Sequence, residues 1–322
     1  MSFIRTIRGD IPPAALGPTS SHDHLIRVGG GEVLAGGEDM DLSSVEMAIE
    51  EARYFMEAGG RAIIDMCPID MGRSVERLAA VNAALPDLRI VIPTGFHKGS
   101  LYAECTSHWI SRYTVRQIAD LIIADIEEGV DIHDYSGPIV ERSNVRAGVI
   151  KVATGYGQMT PFEEACFHAA AIASIETGCP INTHTEHGTL ALEQARLLIN
   201  DGVRAEKITL GHVQRNPDLW YHQKICALGC NVMYDGGYRI KYYPDSTRAD
   251  LIRGMVAAGY GDRITLGTDS GRRSYQRAYG AATGIDYDLA IFKPRLIEEG
   301  MDPTVVDAFF VANPARVFAF DR

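Results

Sequence analysis

Three consecutive runs of this chain decide how the rest of it is interpreted: RAGVIKVAT (146–154), TPFEEACFHAAAIASIETG (160–178) and CPINTHT (179–185). The outer two are apolar or β-branched at consecutive positions, as expected of strands buried on both faces of a parallel sheet. The middle run opens with Thr160 at the N-cap position, a proline at the first helical position and Glu163 at the third, and it ends with a glycine. Together the three runs predict a strand–helix–strand unit.

The same alternation continues in both directions along the chain. Six further runs have strand character: TSSHDHLI (19–26), RAIIDMCP (61–68), LRIVIPTGF (88–96), KITLGHV (207–213), CNVMYDG (230–236) and RITLGTD (263–269). Further helices are predicted over 42–59, 114–128, 188–201, 217–229, 245–258 and 286–299. Eight strands in regular alternation with helices predict an α/β fold of the (β/α)8 barrel type, and a doubly wound open sheet is the alternative on pattern alone.

Composition is that of an ordinary globular protein, with 46% hydrophobic and 23% charged residues among 322. Since a single barrel reaches this length, residues 1–322 are predicted to form one domain. The net charge of -11 argues against nucleic acid or an anionic membrane as a partner. No C-x-x-C pair, signal-like N-terminus or long apolar run is present, which indicates a cytoplasmic protein with reduced cysteines.

Unusual polar residues recur at the ends of the predicted strands, where the chemistry of such barrels is placed. They are His22 and His24 on the first strand, Lys151 on the fourth, His184 on the fifth, His212 on the sixth and Asp269 on the eighth. Any one of the histidines could be a hydrogen-bonded structural residue. Taken together, four imidazoles and a carboxylate are ligands that borderline cations such as Zn²⁺ prefer.

Spacing adds to this interpretation. Residues two apart on a strand share a face, so His22 and His24 can point inward while Asp23 turns away as a structural hydrogen-bonding partner. One metal needs three or four ligands, so this set serves two metals only if something bridges them. The ammonium of Lys151 would be repelled by metal ions, but carboxylation by CO₂ would turn its nitrogen into a two-oxygen anionic bridge.

These residues resemble the phosphotriesterase-like group of the amidohydrolase superfamily, across essentially the whole length of the chain. The matching elements are SHDHL, VIKVATGYGQMTPFEE, NTHTEHG, TLGHVQRN, LGTDSG and NPARVF. The resemblance implies that His22, His24 and Asp269 hold one divalent metal, that His184 and His212 hold the second, and that carboxylated Lys151 bridges them. Zn²⁺ is the expected ion, with Mn²⁺ and Co²⁺ as alternatives.

The resemblance also implies hydrolysis of an ester. A hydroxide bridging the two metals would attack the substrate, because two divalent ions lower the pKa of the shared water. Asp269 would accept the proton and pass it to the leaving group as the catalytic residue. Homodimers are common in the family, and a homodimer is expected here.

Basic loops follow the seventh and eighth strands and indicate the substrate. They hold six basic residues, Arg239, Lys241, Arg248, Arg272, Arg273 and Arg277, with Tyr275 among the last three. Such loops often bind phosphate in barrels of this kind, although a solvated surface with salt bridges is the alternative. The pattern resembles the branch that hydrolyses phosphorylated sugar lactones, which implies that Lys241, Arg272 and Tyr275 hold the phosphate.

The expected activity is therefore opening of a phosphorylated sugar lactone, of the pentono-1,4-lactone 5-phosphate type, with a small anionic substrate as partner. The third strand ends with His97 and Lys98, where the acyl-homoserine lactonase branch has a tyrosine, so we expect Lys98 or His97 to contact sugar hydroxyls. A phosphotriesterase or carboxylesterase acting on unphosphorylated substrates is the main alternative, and a non-catalytic metal-binding barrel is a third. The glycine-rich VGGGEVLAGG (28–37) is interpreted as a flexible loop after the first strand.

Overall fold

The computed structural model describes residues 2–99 and 109–321. Eleven strands lie in these residues: β1 Ile4–Thr6, β2 Gly9–Ile11, β3 Thr19–Asp23, β4 Ala62–Asp65, β5 Arg89–Val91, β6 Pro93–Gly95, β7 Val149–Thr154, β8 Ile181–Thr185, β9 Ile208–Gly211, β10 Asn231–Tyr234 and β11 Ile264–Leu266. Strands β1 and β2 form an antiparallel hairpin that is not among the strands predicted from the sequence. The other nine are parallel.

The parallel strands form the predicted (β/α)8 barrel. Strands β3, β4 and β5 pair in that order, and β6 to β11 pair in sequence order. Strands β5 and β6 are two parts of one barrel strand on either side of Ile92, because β5 pairs with β4 whereas β6 pairs with β7. The eight barrel strands are therefore β3, β4, β5 with β6, and β7 to β11.

The barrel closes between its last strand and its first. The amide of Asp269 donates to the carbonyl of His22 at 2.9 Å. Residue 267 must be glycine because a Cβ there would lie 2.7 Å from the His22 nitrogen. The strand order and this closure favour the barrel over the doubly wound open sheet.

Most of the helices cover the outside of the barrel, and the first lies in the loop that follows β3. The helices are α1 Gly31–Gly36, α2 Val45–Glu57, α3 Val75–Ala84, α4 Val115–Glu127, α5 Pro161–Thr177, α6 Ala191–Asn200, α7 Leu219–Ala227, α8 Asp245–Ala257, α9 Lys293–Glu298, α10 Pro303–Phe310 and α11 Ala312–Val317. The predicted helices are confirmed to within three residues, except that 286–299 divides into a π-helical turn, Asp288–Phe292, and α9. Pro294 has no amide hydrogen to continue an α-helical ladder there.

The ends of α5 are formed as the sequence predicts. The hydroxyl of Thr160 accepts from the amide of Glu163 at 3.2 Å, and the Glu163 carboxylate accepts from the Thr160 amide at 2.7 Å. The helix ends at Gly178, which has φ of +76°. The same Glu163 carboxylate accepts from the amide of Gly99 at 2.8 Å, so this helix end also holds the segment that follows β6.

The flexible-loop interpretation of 28–37 is wrong, because this segment contains α1. The segment packs tightly against the loop after β4: the amide of Val28 donates to the Gly72 carbonyl at 2.8 Å. Gly30 has φ of +82°, and a Cβ on it would lie 2.8 Å from the Asp70 carbonyl oxygen. Its glycines therefore allow close backbone contact.

Five cysteines, at 67, 166, 179, 226 and 230, are free and buried, and Cys105 lies outside the described residues. Within the described part of the chain, no helix has the length and apolar character needed to cross a bilayer.

Candidate metal and active site

The predicted ligands converge at the carboxyl end of the barrel. The rings of His184 and His212 have centroids 4.5 Å apart, and those of His22 and His212 are 4.8 Å apart. His24 Nε2 lies 3.2 Å from Asp269 Oδ1, and His22 Nε2 lies 3.7 Å from the same oxygen. All of these side chains except that of Asp269 are almost fully buried. Barrel closure thus joins the ligands of the first strand to the ligand of the last.

Lys151 extends from β7 into this group and is also buried. Its Nζ has no hydrogen-bond partner among the described residues. Burial lowers the pKa of Lys151 to about 8. A buried amine without a partner is costly, so such an atom indicates a role that the protein side chains alone do not provide.

The two oxygens of Asp269 face different groups. Oδ1 faces the histidine pair, whereas Oδ2 lies 2.6 Å from Arg215 and 3.0 Å from Arg239. Burial alone would raise the pKa of Asp269, but Arg239, together with the hydrogen bond to His24, holds it well below its ordinary value. Asp269 is therefore a carboxylate whose Oδ1 faces the histidines and whose Oδ2 is held by the two arginines.

Backbone strain occurs at two of the six positions. His212 has φ of +61° and Asp269 has φ of +49°, in the left-handed region that residues other than glycine seldom adopt. Such conformations occur where the surrounding structure fixes them, and they are frequent at functional sites.

The histidines have electrostatics suited to binding metal. Burial lowers the pKa of His22, His184 and His212 well below the ordinary value, and it also lowers the pKa of His24. Metal binding requires the neutral imidazole, and in this environment the neutral form is favoured.

Several partners of these ligands were not singled out from the sequence. Asp235 Oδ1 lies 2.7 Å from His212 Nδ1, which leaves Nε2 of that ring for a metal. Glu186 lies 3.1 Å from His184 Nε2, and Cys67 Sγ lies 3.0 Å from His24 Nδ1. Asp235 directly follows β10, so the rule that polar residues at strand ends serve the site could have found it. Arg215 carried no such signal, since it lies beyond the strand end.

Asp23 turns away from the ligands as predicted. It accepts from the Thr268 hydroxyl at 2.6 Å and from the Ser270 amide at 2.9 Å, and it also contacts the Ser20 hydroxyl. Burial raises the pKa of Asp23 to about 8. This residue fastens the first strand to the segment that carries Asp269.

The donor set fits metal ions. One nitrogen from His22, one from His24 and one oxygen from Asp269 all lie within 4.8 Å of one another. His22, His212 and Asp235 form a second such group. A third, formed by His24, Asp65 and Cys67, fits less well, because the Asp65 carboxylate already accepts from the amides of Leu25 and Cys67.

The basic residues of the last two loops divide into two sets. Lys241, Arg272 and Tyr275 line the same cavity as the candidate ligands, as does Arg239. Lys241 Nζ lies 5.5 Å from the centre of the Tyr275 ring, and the Arg272 guanidinium lies 5.9 Å from it. Among the remainder, Arg248 pairs with Asp288, Arg273 with Glu38 and Asp41, and Arg277 with Asp286. These three do not line the cavity, and Arg272, which does line it, also pairs with Asp39 at 3.2 Å.

His97 and Lys98 also line the cavity, but both are paired with carboxylates. Lys98 Nζ lies 2.7 Å from Glu186, and His97 Nε2 lies 3.1 Å from Glu32. Glu32 belongs to α1, in the segment whose interpretation as a loop was wrong. The cavity between these residues and the basic loops has a volume of about 170 Å³.

A (β/α)8 barrel whose strand ends gather four neutral histidines, an aspartate and a buried lysine defines a metal-dependent hydrolase. The model of the phosphotriesterase family matches residues 2–318, and the chain belongs to this family. Members of this family are metal-dependent. The chain is a hydrolase that acts on ester bonds.

Individual relatives agree with this assignment. A phospho-furanose lactonase of Mycoplasmopsis synoviae is 40% identical, and the alignment covers 99% of this chain and 92% of the relative. An amidohydrolase structure from Mycoplasma synoviae has a TM-score of 0.96 at 39% identity, covering 100% of this chain and 93% of that one. A lactonase structure from Listeria monocytogenes has a TM-score of 0.91 at 33% identity, covering 99% and 100%.

Proposed function

We propose that the chain is a lactonase that opens the ring ester of a phosphorylated furanose-type lactone, of the pentono-1,4-lactone 5-phosphate type. The observation that carries the proposal is the position of Lys241, Arg272 and Tyr275 in the same cavity as the candidate metal ligands. Two cations and a phenol match the oxygens of a phosphate group. The name of one relative, a phospho-furanose lactonase, supports this substrate class, and that of the other, a lactonase, supports the reaction.

The size and polarity of the cavity also support a small anionic substrate. Its volume of about 170 Å³ suits a five-membered ring with a phosphate better than a long acyl chain. Charged and polar side chains line most of it, which disfavours the neutral, apolar esters expected of a phosphotriesterase.

In this proposal, His22, His24 and Asp269 would hold one divalent ion, His184 and His212 would hold the other, and a carboxylated Lys151 would supply an anionic ligand shared by both. Zn²⁺ is the proposed ion, because imidazole and carboxylate ligands suit it, with Mn²⁺ and Co²⁺ as alternatives. When bound, the two ions supply a strongly nucleophilic hydroxide near neutral pH and polarise the lactone carbonyl.

Protein side chains carry out the remaining steps, which are proton transfers. Asp269 would take the proton released as the nucleophile attacks the carbonyl carbon. When the ring C–O bond breaks, the same carboxyl returns that proton to the leaving alkoxide, so the product is an open hydroxy acid. Arg215 and Arg239 contact Oδ2 and therefore orient the carboxylate.

The test compares a pentono-1,4-lactone 5-phosphate with the same lactone without its phosphate. For the phosphorylated member, Lys241→Ala or Arg272→Ala is expected to lower kcat/KM by about 10- to 100-fold, the effect of losing one charge-assisted contact. For the unphosphorylated member, kcat/KM should change less than twofold.

Arg273→Ala is the matched control, because this neighbouring arginine pairs with Glu38 and Asp41 instead of lining the cavity. It should leave both substrates unaffected. Unchanged kcat/KM for the phosphorylated lactone in Lys241→Ala and Arg272→Ala would remove the phosphate site. Faster turnover of unphosphorylated esters by the wild-type protein would favour the alternative esterase.

The proposed role of carboxylated Lys151 has its own test. Elemental analysis of the fully loaded protein should give about two metal equivalents per chain. Lys151→Met should bind fewer, because methionine cannot be carboxylated and supplies no anionic oxygen. One equivalent in the fully loaded wild-type protein would contradict the two-metal proposal.

We also propose that residues 1–322 form one hydrolase domain, that it works as a homodimer and that it acts in the cytoplasm. The free thiols and the family resemblance support these assignments. Light scattering of the purified protein tests the dimer, which should have twice the chain mass of 35.2 kDa.

A further inference from the structure

The cavity has two ends of different charge. Lys241 and Arg272 follow β10 and β11, whereas His97 and Lys98 follow β6. The strand formed by β5 and β6 is third in the barrel and β10 is seventh, so the two lie on opposite sides of an eight-stranded ring. A substrate that reaches both ends would therefore place one group against the basic loops and another against the residues beyond β6.

The end beyond β6 does not attract anions. Lys98 is paired with Glu186 at 2.7 Å, and Glu32 lies 3.9 Å away. Arg27 lies 3.6 Å from Glu32 and donates to the carbonyl of Gly271. Two carboxylates here balance two cations, so a phosphate would gain more at the basic end.

Glu32 has acceptor capacity left over. Within the described part of the chain it accepts one hydrogen bond, from His97 Nε2 to Oε1. Glu186, by contrast, is contacted by both Lys98 and His184. A carboxylate offers about four lone-pair positions, and the Glu32 side chain keeps 19% of its surface exposed, in the cavity.

Charge and backbone both favour a fixed acceptor at this position. Burial alone would raise the pKa of Glu32, but the hydrogen bond from His97 and the charge of Arg27 hold it well below its ordinary value. The segment is fixed by the close contacts of Gly30 and Gly72 with neighbouring backbone. An ionised carboxylate can only accept hydrogen bonds, so it suits a ligand group that donates.

We propose that Glu32 determines specificity by accepting hydrogen bonds from the ring hydroxyls of the lactone while the phosphate lies against Lys241, Arg272 and Tyr275. The proposal rests on the proposed function. His97 and Lys98 then act mainly by holding Glu32 and Glu186. In this arrangement the carboxylates contact the sugar hydroxyls, and His97 and Lys98 hold the carboxylates in place.

The experiment uses two phosphorylated lactones, the pentono-1,4-lactone 5-phosphate and its 2,3-dideoxy counterpart. Each is assayed with the metal-loaded wild-type protein and with Glu32→Gln. The variant should lower kcat/KM about 10- to 100-fold for the hydroxylated lactone and less than twofold for the dideoxy one. Glu38→Gln, an exposed carboxylate six residues further along, is the matched control and should change neither value.

Each result decides the matter. Equal losses on both lactones with unchanged metal content, or no loss on either, would overturn the role of Glu32 and leave the lactonase proposal intact. If the wild-type protein hydrolyses neither lactone while hydrolysing unphosphorylated esters, the proposed function fails, and the role of Glu32 fails with it.

Discussion

Some residues of this site orient the candidate metal ligands. Asp235 illustrates this, because it touches His212 through Nδ1 and lies 3.5 Å from His22 Nδ1. A carboxylate in that position fixes the ring orientation and makes the opposite nitrogen a better ligand. One candidate ligand, His212, is thus hydrogen-bonded by this strand-end residue, and a second, His22, lies beside it.

Replacing Asp235 with asparagine should therefore weaken metal binding. We expect about a 10- to 100-fold loss of affinity, the usual effect of removing a carboxylate behind a metal-binding histidine. Competition with a chromogenic chelator measures it. Asp250→Asn is the control, because Asp250 is exposed and pairs only with Arg253 in the described residues. The metal affinity of this variant should equal that of the wild type. Equal affinities for the two variants would contradict the role of Asp235.

At the scale of elements, helices on the outside of the barrel hold the loops of the site. Helix α2 carries Glu51, whose carboxylate accepts from the amides of Ala278 at 2.9 Å and Ile285 at 2.8 Å. These amides belong to the segment that also carries Tyr275. Burial raises the pKa of Glu51 to about 7, from an ordinary value of 4.5.

This shift predicts how stability depends on pH. The folded state binds the Glu51 proton more tightly than the unfolded state, so the carboxyl costs stability as pH rises from about 4.5 to about 7. Glu51→Gln removes the titration. The free energy of unfolding of the variant, relative to wild type, should rise by about 1–3 kcal/mol between pH 5 and pH 7.5. Urea unfolding at both values measures it, and a difference independent of pH would contradict the assignment.

Elements whose ends carry capping residues could be predicted from the sequence, and helix α5 is the clearest case. Helix α3 could not, because its buried stripe includes Asn82, whose amide donates to the carbonyls of Leu85 and Leu88. Helix α1 was misinterpreted for a different reason. Its glycines permit contacts with residues about 40 positions away, and no local pattern shows such contacts.

At the scale of the whole molecule, the fold and the candidate ligands could be predicted together. The carboxyl ends of parallel barrel strands converge, so residues such as His184 and Asp269 share a site whatever their separation along the chain. The pairing of charges could not be predicted in this way. Which arginine faces the cavity depends on side-chain directions, and Arg272 and Arg273 are adjacent yet differ.

Because metal ions would bind the folded barrel and not the unfolded chain, removing them should lower its thermal stability. Treatment with a chelator is expected to lower Tm by about 5–15 °C, the effect of tight binding on a protein of this size. Differential scanning calorimetry measures the shift, and added Zn²⁺, Mn²⁺ or Co²⁺ should reverse it. An identical Tm before and after chelation would argue against a resident metal.

The contact between the first and last barrel strands also determines when this ligand set can form during synthesis. His24 and Asp269, 3.2 Å apart in the folded chain, are separated by 245 residues in sequence. At the usual speed of a ribosome, about 12 to 50 s pass between the addition of one and of the other. Throughout that interval the histidine pair lacks its carboxylate. The nascent chain therefore completes this ligand set only as the barrel closes, near the end of translation.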